Sequence, residues 1–384
     1  MLNRELIDRE FGFMKEEIYL NISLTSLPPR RVQDTFRGFM DGYVRDFAEG
    51  QEGYFGGIVK EARANAAKLL QCGEDEVAFT RSTSDGFTIL AASFPFKEGD
   101  NVVLTEEEHA SNVMPWLAQE RRGVEVRFAK SHDGIVTIQD ILDQVDERTR
   151  IVSTASTYFC TGYRMDLKAL SAELKKRGVY LSIDGIQSMG RLKIYPYELG
   201  VDYISAGSYK GMMGTKGAAL TFCSRELQKL LVPYTGSQQG IKVPSRPFVQ
   251  RHYSEIDWKE DARKFEHGNY TYVVIQSLSG GLSLINEIGI GEIDAHVCHL
   301  EQVLREKIAG LDLKVITPAP ENQSGLMFVF YPEQAKPEQV KAVLNKYRIH
   351  ATIRNGFIRM GFHCYNTEEQ MDIIAKALAE ISEL

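Results

Sequence analysis

Two lysines, Lys210 and Lys216, stand in surroundings that are unusual for a charged side chain. The stretch from Asp202 to Leu220 is DYISAGSYKGMMGTKGAAL. Its two ends predict buried strands, and its middle consists mainly of glycines, small residues and two methionines. A lysine seldom enters a protein interior without a partner or a chemical task. One of these two lysines is therefore a candidate for chemistry, and the partners available elsewhere in the sequence indicate which one.

Polar side chains follow several predicted strands at the point where each strand ends. The run Ser82–Gly86 follows EVAFTR, His109 closes the run after NVVLT, and Asp184 and Gln187 follow VYLSI. Taken singly, these residues have simpler explanations, such as a helix cap or a half-buried loop histidine. Because ligands of open α/β sheets gather at the carboxyl ends of the strands, we expect these groups to lie at one edge together with Lys210.

This combination of groups is the one that pyridoxal phosphate chemistry needs. A lysine such as Lys210 holds the aldehyde as a Schiff base and then carries protons. A buried carboxylate such as Asp184 keeps the pyridine nitrogen protonated, so that the ring accepts electrons from the α-carbon of a substrate. Thr83 and Ser84 open a helix whose N–H groups and hydroxyls suit a phosphate. The imidazole of His109 is a flat ring that can stack on a cofactor.

Four stretches of the sequence resemble the class V aminotransferases. They are IYLNISLTSLPPRRV (18–32), EEHASNVMPW (107–116), SIDGIQSMGRLKIYPYELGVDYISAGSYK (182–210) and FHCYNTEE (362–369). The family belongs to the fold-type I pyridoxal-phosphate enzymes and includes cysteine desulfurases, kynureninases and isopenicillin N epimerase-like enzymes. The resemblance covers nearly the whole chain in order.

The resemblance implies a role for each residue of the set. Lys210 would form the Schiff base, Asp184 would pair with the pyridinium nitrogen, and Gln187 would contact the phenolic oxygen. His109 would stack on the ring. The phosphate would be held by three side chains, Thr83, Ser84 and Tyr209; the tyrosine gives S-Y-K, as in kynureninases. Lys216 falls in the glycine-rich turn of the family and is expected to be structural or exposed.

The carboxylate of an amino-acid substrate calls for a fork-shaped cation, which arginine supplies better than lysine. Arg354 and Arg359 stand close together in TIRNGFIRMGF, and related enzymes use arginines of this region. We rank Arg359 ahead of Arg354, although a surface ion pair is an alternative for either. Asn21 and its loop are expected to line the substrate pocket.

Two departures from the family pattern bear on the reaction. A cysteine desulfurase needs a nucleophilic cysteine on a mobile loop shortly after its arginine, and IRNGFIRM has no cysteine. Cys364 is expected to be a buried structural thiol, so desulfuration through a protein persulfide is not expected. Ser156-Thr157 stands where many relatives have Ser-Asn, which leaves the second contact to the ring oxygen open.

The chain totals set the class of protein. A chain of 384 residues exceeds one hydrophobic core, so two packed units are expected. A formal charge of −7 argues against a general nucleic-acid or acidic-membrane binder. Five scattered cysteines without a CxxC pair fit reduced thiols, and the charged N-terminus is not a signal peptide. No apolar run has membrane-spanning length, so we expect a soluble, cytoplasmic protein.

Short apolar strands alternate with amphipathic helices from about residue 55 onward. This pattern predicts an α/β fold, which the resemblance makes fold-type I, with a mostly parallel, seven-stranded-type sheet. We expect an N-terminal segment (1–25) near the active site and the small domain, a large cofactor-binding domain (26–255) and a small α+β domain (256–384). The sequence HVCH (296–299) lies in an amphipathic helix without a second ligand pair, so no metal site is predicted.

The expected activity is a pyridoxal-phosphate reaction on an amino acid, through a Lys210 aldimine and removal of the α-proton. An aminotransferase or a carbon–sulfur lyase that acts by β-elimination is favoured. An amino-acid epimerase and a catalytically silent binding protein are the alternatives. The segment EHGNYTY (266–272) resembles the part of the family that approaches the phosphate site of a neighbouring subunit, so the resemblance implies a homodimer with a shared active site. The substrate side chain is left open.

Overall fold

The computed structural model describes residues 2–45, 51–234, 236–242, 257–317 and 320–384. Its central layer is a seven-stranded sheet in the order β2-β8-β7-β6-β5-β3-β4. Only β8 runs antiparallel to its neighbours, β2 and β7. The strands are β2 (Val77–Thr80), β3 (Asn101–Thr105), β4 (Glu125–Ala129), β5 (Thr149–Ala155), β6 (Tyr180–Asp184), β7 (Tyr203–Gly207) and β8 (Ala219–Cys223). The predicted fold class is therefore confirmed.

The central strands are buried on both faces, which explains their nearly continuous apolar sequences. Every residue of β2, β3, β7 and β8 is buried. A strand that is covered on both sides has no polar face, so it lacks the alternating pattern of a half-exposed strand. The connecting helices are α4 (Thr83–Ser93), α5 (Ala110–Leu117), α6 (Ile138–Leu142), α7 (Leu167–Lys175), α8 (Pro196–Leu199) and α9 (Arg225–Leu230).

A second sheet lies in the C-terminal part of the chain and is called here the C-terminal sheet. It consists of β9 (Leu326–Phe330), β11 (Thr352–Arg354) and β12 (Phe357–Gly361), antiparallel in the order β11-β12-β9. The accompanying helices are α11 (Ile290–Ile308), α12 (Pro337–Lys346) and α13 (Glu368–Ser382). The stretch LKVIT (313–317) has the composition of a strand, but it forms an isolated bridge between Val315 and Val329.

The N-terminal segment contacts both parts of the molecule. Helix α1 (Arg4–Phe11) is followed by β1 (Ile18–Tyr19), which pairs in parallel with β10 (Ile349–His350) beside the C-terminal sheet. Farther along, the backbone N–H of Ser26 donates to the carbonyl oxygen of Tyr209 at 2.8 Å. This segment therefore connects the C-terminal part of the chain to the turn that holds Lys210.

Three long helices, α2 (Arg30–Arg45), α3 (Gln51–Leu70) and α10 (Tyr272–Ile288), pack together. Helix α10 was assigned to the small domain from the sequence, yet it packs mainly on α2 and α3. The three predicted domain boundaries stay a prediction. Within the described residues, no single helix has the length and apolar character to cross a membrane; α10 and α11 meet that criterion only as a pair bent by 81°.

Candidate active site

A cavity of about 190 Å³ lies at the carboxyl edge of the central sheet. Seven of the predicted site residues line it together: Thr83, Ser84, His109, Asp184, Gln187, Tyr209 and Lys210. They come from the ends of β2, β3, β6 and β7, which the topology brings to one edge. The expectation that these groups share one place is therefore met in the structure.

Lys210 follows the end of β7 and is largely removed from water. Burial, assisted by the positive charge of Arg359, lowers the pKa of its ammonium group to about 8. The carboxylate of Asp184 opposes this change. A lysine with such a pKa is partly neutral near physiological pH, and the neutral amine is the form that attacks carbonyl groups.

Asp184 is the last residue of β6 and is only 3% exposed. Its Oδ1 accepts a hydrogen bond from the backbone N–H of Ile186 at 2.9 Å. Within the described part of the chain, its second oxygen has no hydrogen-bond partner. Burial raises the pKa of this carboxyl to about 6, although the bond from Ile186 and the charge of Lys210 oppose the rise. A cationic partner in the cavity would favour the ionised form.

His109 caps the N-terminus of α5, and this capping fixes the direction of its ring. Its Nδ1 accepts from the backbone N–H of Ser111 at 3.1 Å and lies 3.0 Å from the Ser111 hydroxyl. The rings of His109 and Phe159 pack edge to face, with 5.2 Å between their centroids and 85° between their planes. Burial, followed by the charge of Lys210, lowers the pKa of His109. The imidazole is therefore held neutral beside the cavity.

Helix α4 begins at the cavity with Thr83, directly after the cap residue Ser82. The Ser82 hydroxyl accepts from the backbone N–H of Asp85 at 3.1 Å. The Thr83 hydroxyl accepts from the backbone N–H of Gly207 at 2.9 Å, so Thr83 also connects α4 to β7. The first turn of a helix leaves backbone N–H groups without partners inside the helix. Together with Ser84, this helix end is suited to an anion.

Gln187 and Thr157 both line the cavity, and their contacts to a ring oxygen stay a prediction. Gln187 is 3% exposed, and its Nε2 donates to the carbonyl oxygen of Ser23 at 3.2 Å. Thr157 lines the cavity, but its hydroxyl lies 2.9 Å from that of Ser188. The hydroxyl of Ser156 also contacts Ser188, at 2.6 Å. Both hydroxyls thus have Ser188 as a protein partner.

The two candidate arginines differ in burial. Arg354 is exposed, whereas Arg359 is partly buried and its charge acts on Lys210. The Nε of Arg359 is buried without a hydrogen-bond partner, and no described carboxylate lies within ion-pair distance of it. Among the described residues, the one side-chain hydrogen bond of Arg359 is donated by NH2 to the hydroxyl of Thr352 at 3.5 Å. Arg359 is therefore a cation with free donors close to the cavity.

Asn21 lies beside Arg359 but does not line the main cavity. Its Oδ1 accepts a hydrogen bond from the hydroxyl of Thr352, the same hydroxyl that contacts Arg359. It borders a neighbouring pocket with His350 and Ile353. Asn21 is thus linked to Arg359 through the Thr352 hydroxyl, and its expected role toward the substrate stays a prediction.

Lys216, the second lysine of the opening stretch, is exposed and does not line the cavity. Its Nζ lies 5.5 Å from the centroid of the Tyr209 ring, and that of Lys210 lies 5.9 Å from the same ring. Burial raises the pKa of the Tyr209 hydroxyl, and Asp184 adds to the effect. Of the two lysines, only Lys210 is close to Asp184 in a desolvated site.

Sequence reasoning gave no role to several residues of the site. Phe159 and Ile186 line the cavity with apolar side chains. Glu108, which is buried, accepts bonds from the backbone N–H of Ala155 at 2.7 Å and from Asn112 at 2.7 Å. Burial raises the pKa of Glu108 to about 7. All three are within four residues of a strand end, which is the only signal that could have indicated them.

All five cysteines fall within the described residues, and none lines the cavity. Cys223 and Cys364 are buried. Cys160 is the one beside a lining residue, and its Sγ lies 2.7 Å from Oε2 of Glu107. Burial raises the pKa of every one of these thiols, and for Cys160 the carboxylate raises it further. A thiol with a raised pKa is a poor nucleophile.

Comparisons with known proteins agree on one family. The Aminotransferase class-V family model matches residues 18–374. A probable cysteine desulfurase of Methanothermobacter thermautotrophicus is 25% identical over 405 residues, which cover 99% of this chain and 98% of that protein. The apo structure of a cysteine desulfurase from Thermococcus onnurineus NA1 has a TM-score of 0.87 at 21% identity, covering 100% of this chain and 99% of that one. A complex of the cystine C-S lyase C-DES with its reaction product cysteine persulfide has a TM-score of 0.86 at 19% identity, covering 97% and 100%.

Proposed function

We propose that this chain, which belongs to the class V aminotransferase family, binds pyridoxal phosphate at Lys210 and removes the α-proton of an amino acid, as an aminotransferase or a carbon–sulfur lyase. The observation that supports this most strongly is the cavity that the desolvated Lys210 and Asp184 line together, with the charge of Arg359 also acting on Lys210. A lysine, an acid and a second cation are the three groups that an amino-acid substrate and this cofactor require.

The residues present fit the cofactor. The buried Asp184 has an oxygen without a hydrogen-bond partner among the described residues and would pair with the ring nitrogen. The N-terminus of α4, with Thr83 and Ser84, would hold the phosphate, and Tyr209 would assist. His109 supplies a flat surface and Ile186 an apolar one for the ring. Gln187 would contact the phenolic oxygen.

When bound, pyridoxal phosphate supplies an aldehyde that condenses with amines and a ring that accepts electrons from the α-carbon. Lys210, with its pKa lowered to about 8 by burial, exchanges protons readily near neutral pH and would act as the base at the α-carbon. Arg359 would bind the substrate carboxylate through its unpaired donors. Asp184 would hold a proton on the ring nitrogen.

We further propose that sulfur, where the substrate contains it, leaves as a small molecule and not as a persulfide on the protein. A desulfurase that works through a persulfide needs a thiolate at the cavity. Here the five thiols have raised pKa values and none of them lines the cavity. This pattern supports a lyase or an aminotransferase over a desulfurase with a catalytic cysteine.

The assembly and the location of the protein are proposals of the same kind. We propose a homodimer with a shared active site, in which an exposed apolar face of α2 contacts the second copy. That face presents Phe36, Met40 and Val44, which are 41%, 58% and 66% exposed. We also propose that the protein works in the cytoplasm.

The experiment that tests the reaction class measures loss of the α-proton. Holoenzyme is incubated in D₂O with L-alanine, L-cysteine and L-cystine, and exchange at the α-carbon is followed by NMR. Exchange that disappears in Lys210→Ala is the expected result. Keto acid and ammonia formed without an added keto-acid acceptor would indicate the lyase, and keto acid formed only with an acceptor would indicate the aminotransferase. Absence of exchange with every amino acid of a wider panel would contradict the proposal.

A further inference from the structure

Arg191 is a buried cation whose hydrogen-bond partners are all backbone carbonyl groups. It is only 1% exposed. Its Nε donates to Phe362 O at 2.9 Å, NH1 donates to Gln187 O at 2.9 Å, and NH2 donates to Ser324 O and Gly325 O at 2.9 and 2.8 Å. Among the described residues, no carboxylate forms an ion pair with it. A buried charge without a counter-charge depends on these four acceptors for its stability.

The four carbonyls belong to two different parts of the molecule. Gln187 lies in the turn after β6 that also presents Asp184 to the cavity. Ser324 and Gly325 lead into β9, and Phe362 directly follows β12. Because β12 contains Arg359, the guanidinium of Arg191 connects the cofactor side of the site to the strand with the substrate-binding candidate.

His363 forms a second connection, between the end of β12 and the turn that holds Lys210. Its Nδ1 accepts from the backbone N–H of Cys364 at 2.8 Å, and its Nε2 lies 2.9 Å from the carbonyl oxygen of Gly211. A neutral imidazole with its proton on Nε2 satisfies both contacts. Burial lowers the pKa of His363 to about 3, in agreement with this neutral form. Gly211 is the residue after Lys210.

Two glycines let these turns approach each other. A Cβ on Gly190 would meet the carbonyl oxygen of Gly211 at 2.3 Å. A Cβ on Gly211 would meet Met189 O at 2.3 Å and the Cγ of Arg191 at 2.7 Å. The turn after β6 and the Lys210–Gly211 turn are thus in direct backbone contact beside Arg191.

We propose that Arg191, supported by His363, is a positioning residue that fixes Arg359 relative to Lys210 and thereby sets recognition of the substrate carboxylate. The inference rests on the proposed role of Arg359. The C-terminal sheet cannot shift by a large part of a hydrogen-bond length without removing acceptors from a buried guanidinium. The sheet is therefore held in one position relative to the cavity.

The test compares two amine probes that differ in one carboxylate. Aminooxyacetate and methoxyamine both react with the enzyme-bound aldehyde, which removes the visible absorption band, but only aminooxyacetate has a carboxylate. The ratio of their rate constants therefore measures carboxylate recognition without knowledge of the natural substrate. Since two charge-assisted hydrogen bonds separate the probes, the wild type is expected to prefer aminooxyacetate by about 100-fold.

Variants assign the preference to its source. Arg359→Gln should remove it, and Arg191→Lys, which keeps the charge but cannot reach four carbonyls, should lower it about tenfold, a change equal to one neutral hydrogen bond. His363→Phe should lower it too, and His363→Gln should restore it, because the glutamine amide can donate to Gly211. Arg164→Gln is the matched control: Arg164 also spans the two parts of the molecule, through Asp294 at 3.0 Å, but does not contact β9 or β12 through its side chain.

A readout without cofactor is amide hydrogen exchange in the apoprotein, where β9 and β12 should exchange faster in Arg191→Lys than in Arg164→Gln. If Arg191→Lys does not fold, the two His363 variants provide the same comparison. The inference is overturned if Arg191→Lys and His363→Phe keep the wild-type ratio, or slow both probes equally, while Arg359→Gln loses the ratio. If Arg359→Gln keeps the ratio, the proposed role of Arg359 is wrong and the inference fails with it.

Discussion

Lys210 and Asp184 have pKa values moved toward each other because both are buried. Burial lowers that of Lys210 to about 8 and raises that of Asp184 to about 6. Each group favours the ionised form of the other, but the loss of water is the larger effect in both. A site in this condition gains when a cofactor supplies a cationic nitrogen to Asp184 and an aldehyde to Lys210.

One prediction follows for Asp184 in the apoprotein. The folded state holds the proton of Asp184 up to about pH 6, while the unfolded chain loses it near pH 4, so the free energy of unfolding falls as pH rises between these values. The Asp184→Asn substitution removes the ionisable group and therefore also removes this fall in the free energy of unfolding. At pH 7.5 the variant should be more stable than the wild type by up to about 3 kcal/mol. Urea unfolding of the apoproteins from pH 4 to pH 7.5 measures the difference, which should vanish at the acid end. A difference that does not change with pH would refute this account of Asp184.

A second prediction concerns Cys160, the cysteine beside a cavity residue. Because its thiol contacts Glu107 and has a raised pKa, Cys160→Ala should change turnover by no more than about threefold. Cys72→Ala, at a cysteine just after the end of α3, is the control. Cyanolysis after turnover of a sulfur amino acid should detect no sulfane sulfur on the protein. A labelled Cys160 peptide, together with loss of activity in Cys160→Ala, would show that a protein persulfide does form.

At this scale the sequence indicated the polar residues of the site and not its apolar ones. Lys210, Asp184 and His109 come at the ends of buried strands. A purely structural role can explain each residue alone, but it rarely explains all three at one edge of a sheet. Phe159 also follows a strand, but an aromatic residue has many uses in a fold, and only the tertiary structure brings it to the cavity.

At the scale of elements, helix α4 shows how a cap prepares a binding site. Ser82 caps the helix, Thr83 connects it to β7, and Ser84 is left exposed at the cavity. The positive end of the helix and its free N–H groups favour an anion at this point.

Ser84→Ala should therefore weaken pyridoxal phosphate binding about tenfold, because one hydrogen bond to a charged group is lost. Binding of pyridoxal, which has no phosphate, should not change. Thr88→Ala is the matched control, because Thr88 lies on the same helix and its hydroxyl bonds back to Ser84 O at 2.8 Å. Titration of apoprotein followed by the visible band measures both ligands. Equal weakening of pyridoxal and pyridoxal phosphate would contradict the assignment of Ser84.

Most strands of the central sheet could be predicted from their apolar runs, because these strands are buried on both faces. The exception is instructive: 313–317 has strand-forming residues, yet Val315 pairs only singly with Val329. Strand formation depends on a partner along the whole length, which the local sequence does not contain. The position of Arg359 was likewise uncertain until the pairing of Thr352 with Arg359 was known.

At the scale of the whole molecule, the apolar side chains exposed on α2 are the main feature that a single chain does not explain. Phe36, Met40 and Val44 repeat at every fourth residue and so lie on one face of the helix. Val32, four residues before Phe36, lies at the start of the same row but is covered by α10, where a Cβ on Gly280 would lie 3.2 Å from it. This exposed face is consistent with the homodimer that we propose.

Met40→Glu should therefore weaken self-association at least tenfold, because a buried charge at an interface is costly. Ile373→Glu is the control, since Ile373 is 38% exposed but lies on α13. Light scattering over a dilution series measures the association. A wild type that is monomeric at micromolar concentration, or a Met40→Glu protein that associates as the wild type does, would contradict this use of α2.

The division of the chain was the hardest feature to predict at this scale. The sequence predicts a boundary near residue 255, but α10 beyond it packs on α2 and α3, which lie before it. The local sequence of a long helix does not show which of two units the helix packs on. Their placement depends on tertiary contacts such as those of Gly280.

The measurement that tests the central claim most directly identifies the lysine that holds the cofactor. Holoenzyme is reduced with borohydride, digested, and searched by mass spectrometry for the pyridoxyl-phosphate adduct. The adduct is expected on Lys210, in Lys216→Ala as in the wild type, and should be absent in Lys210→Ala. An adduct on Lys216, or none in a protein saturated with cofactor, would contradict the account.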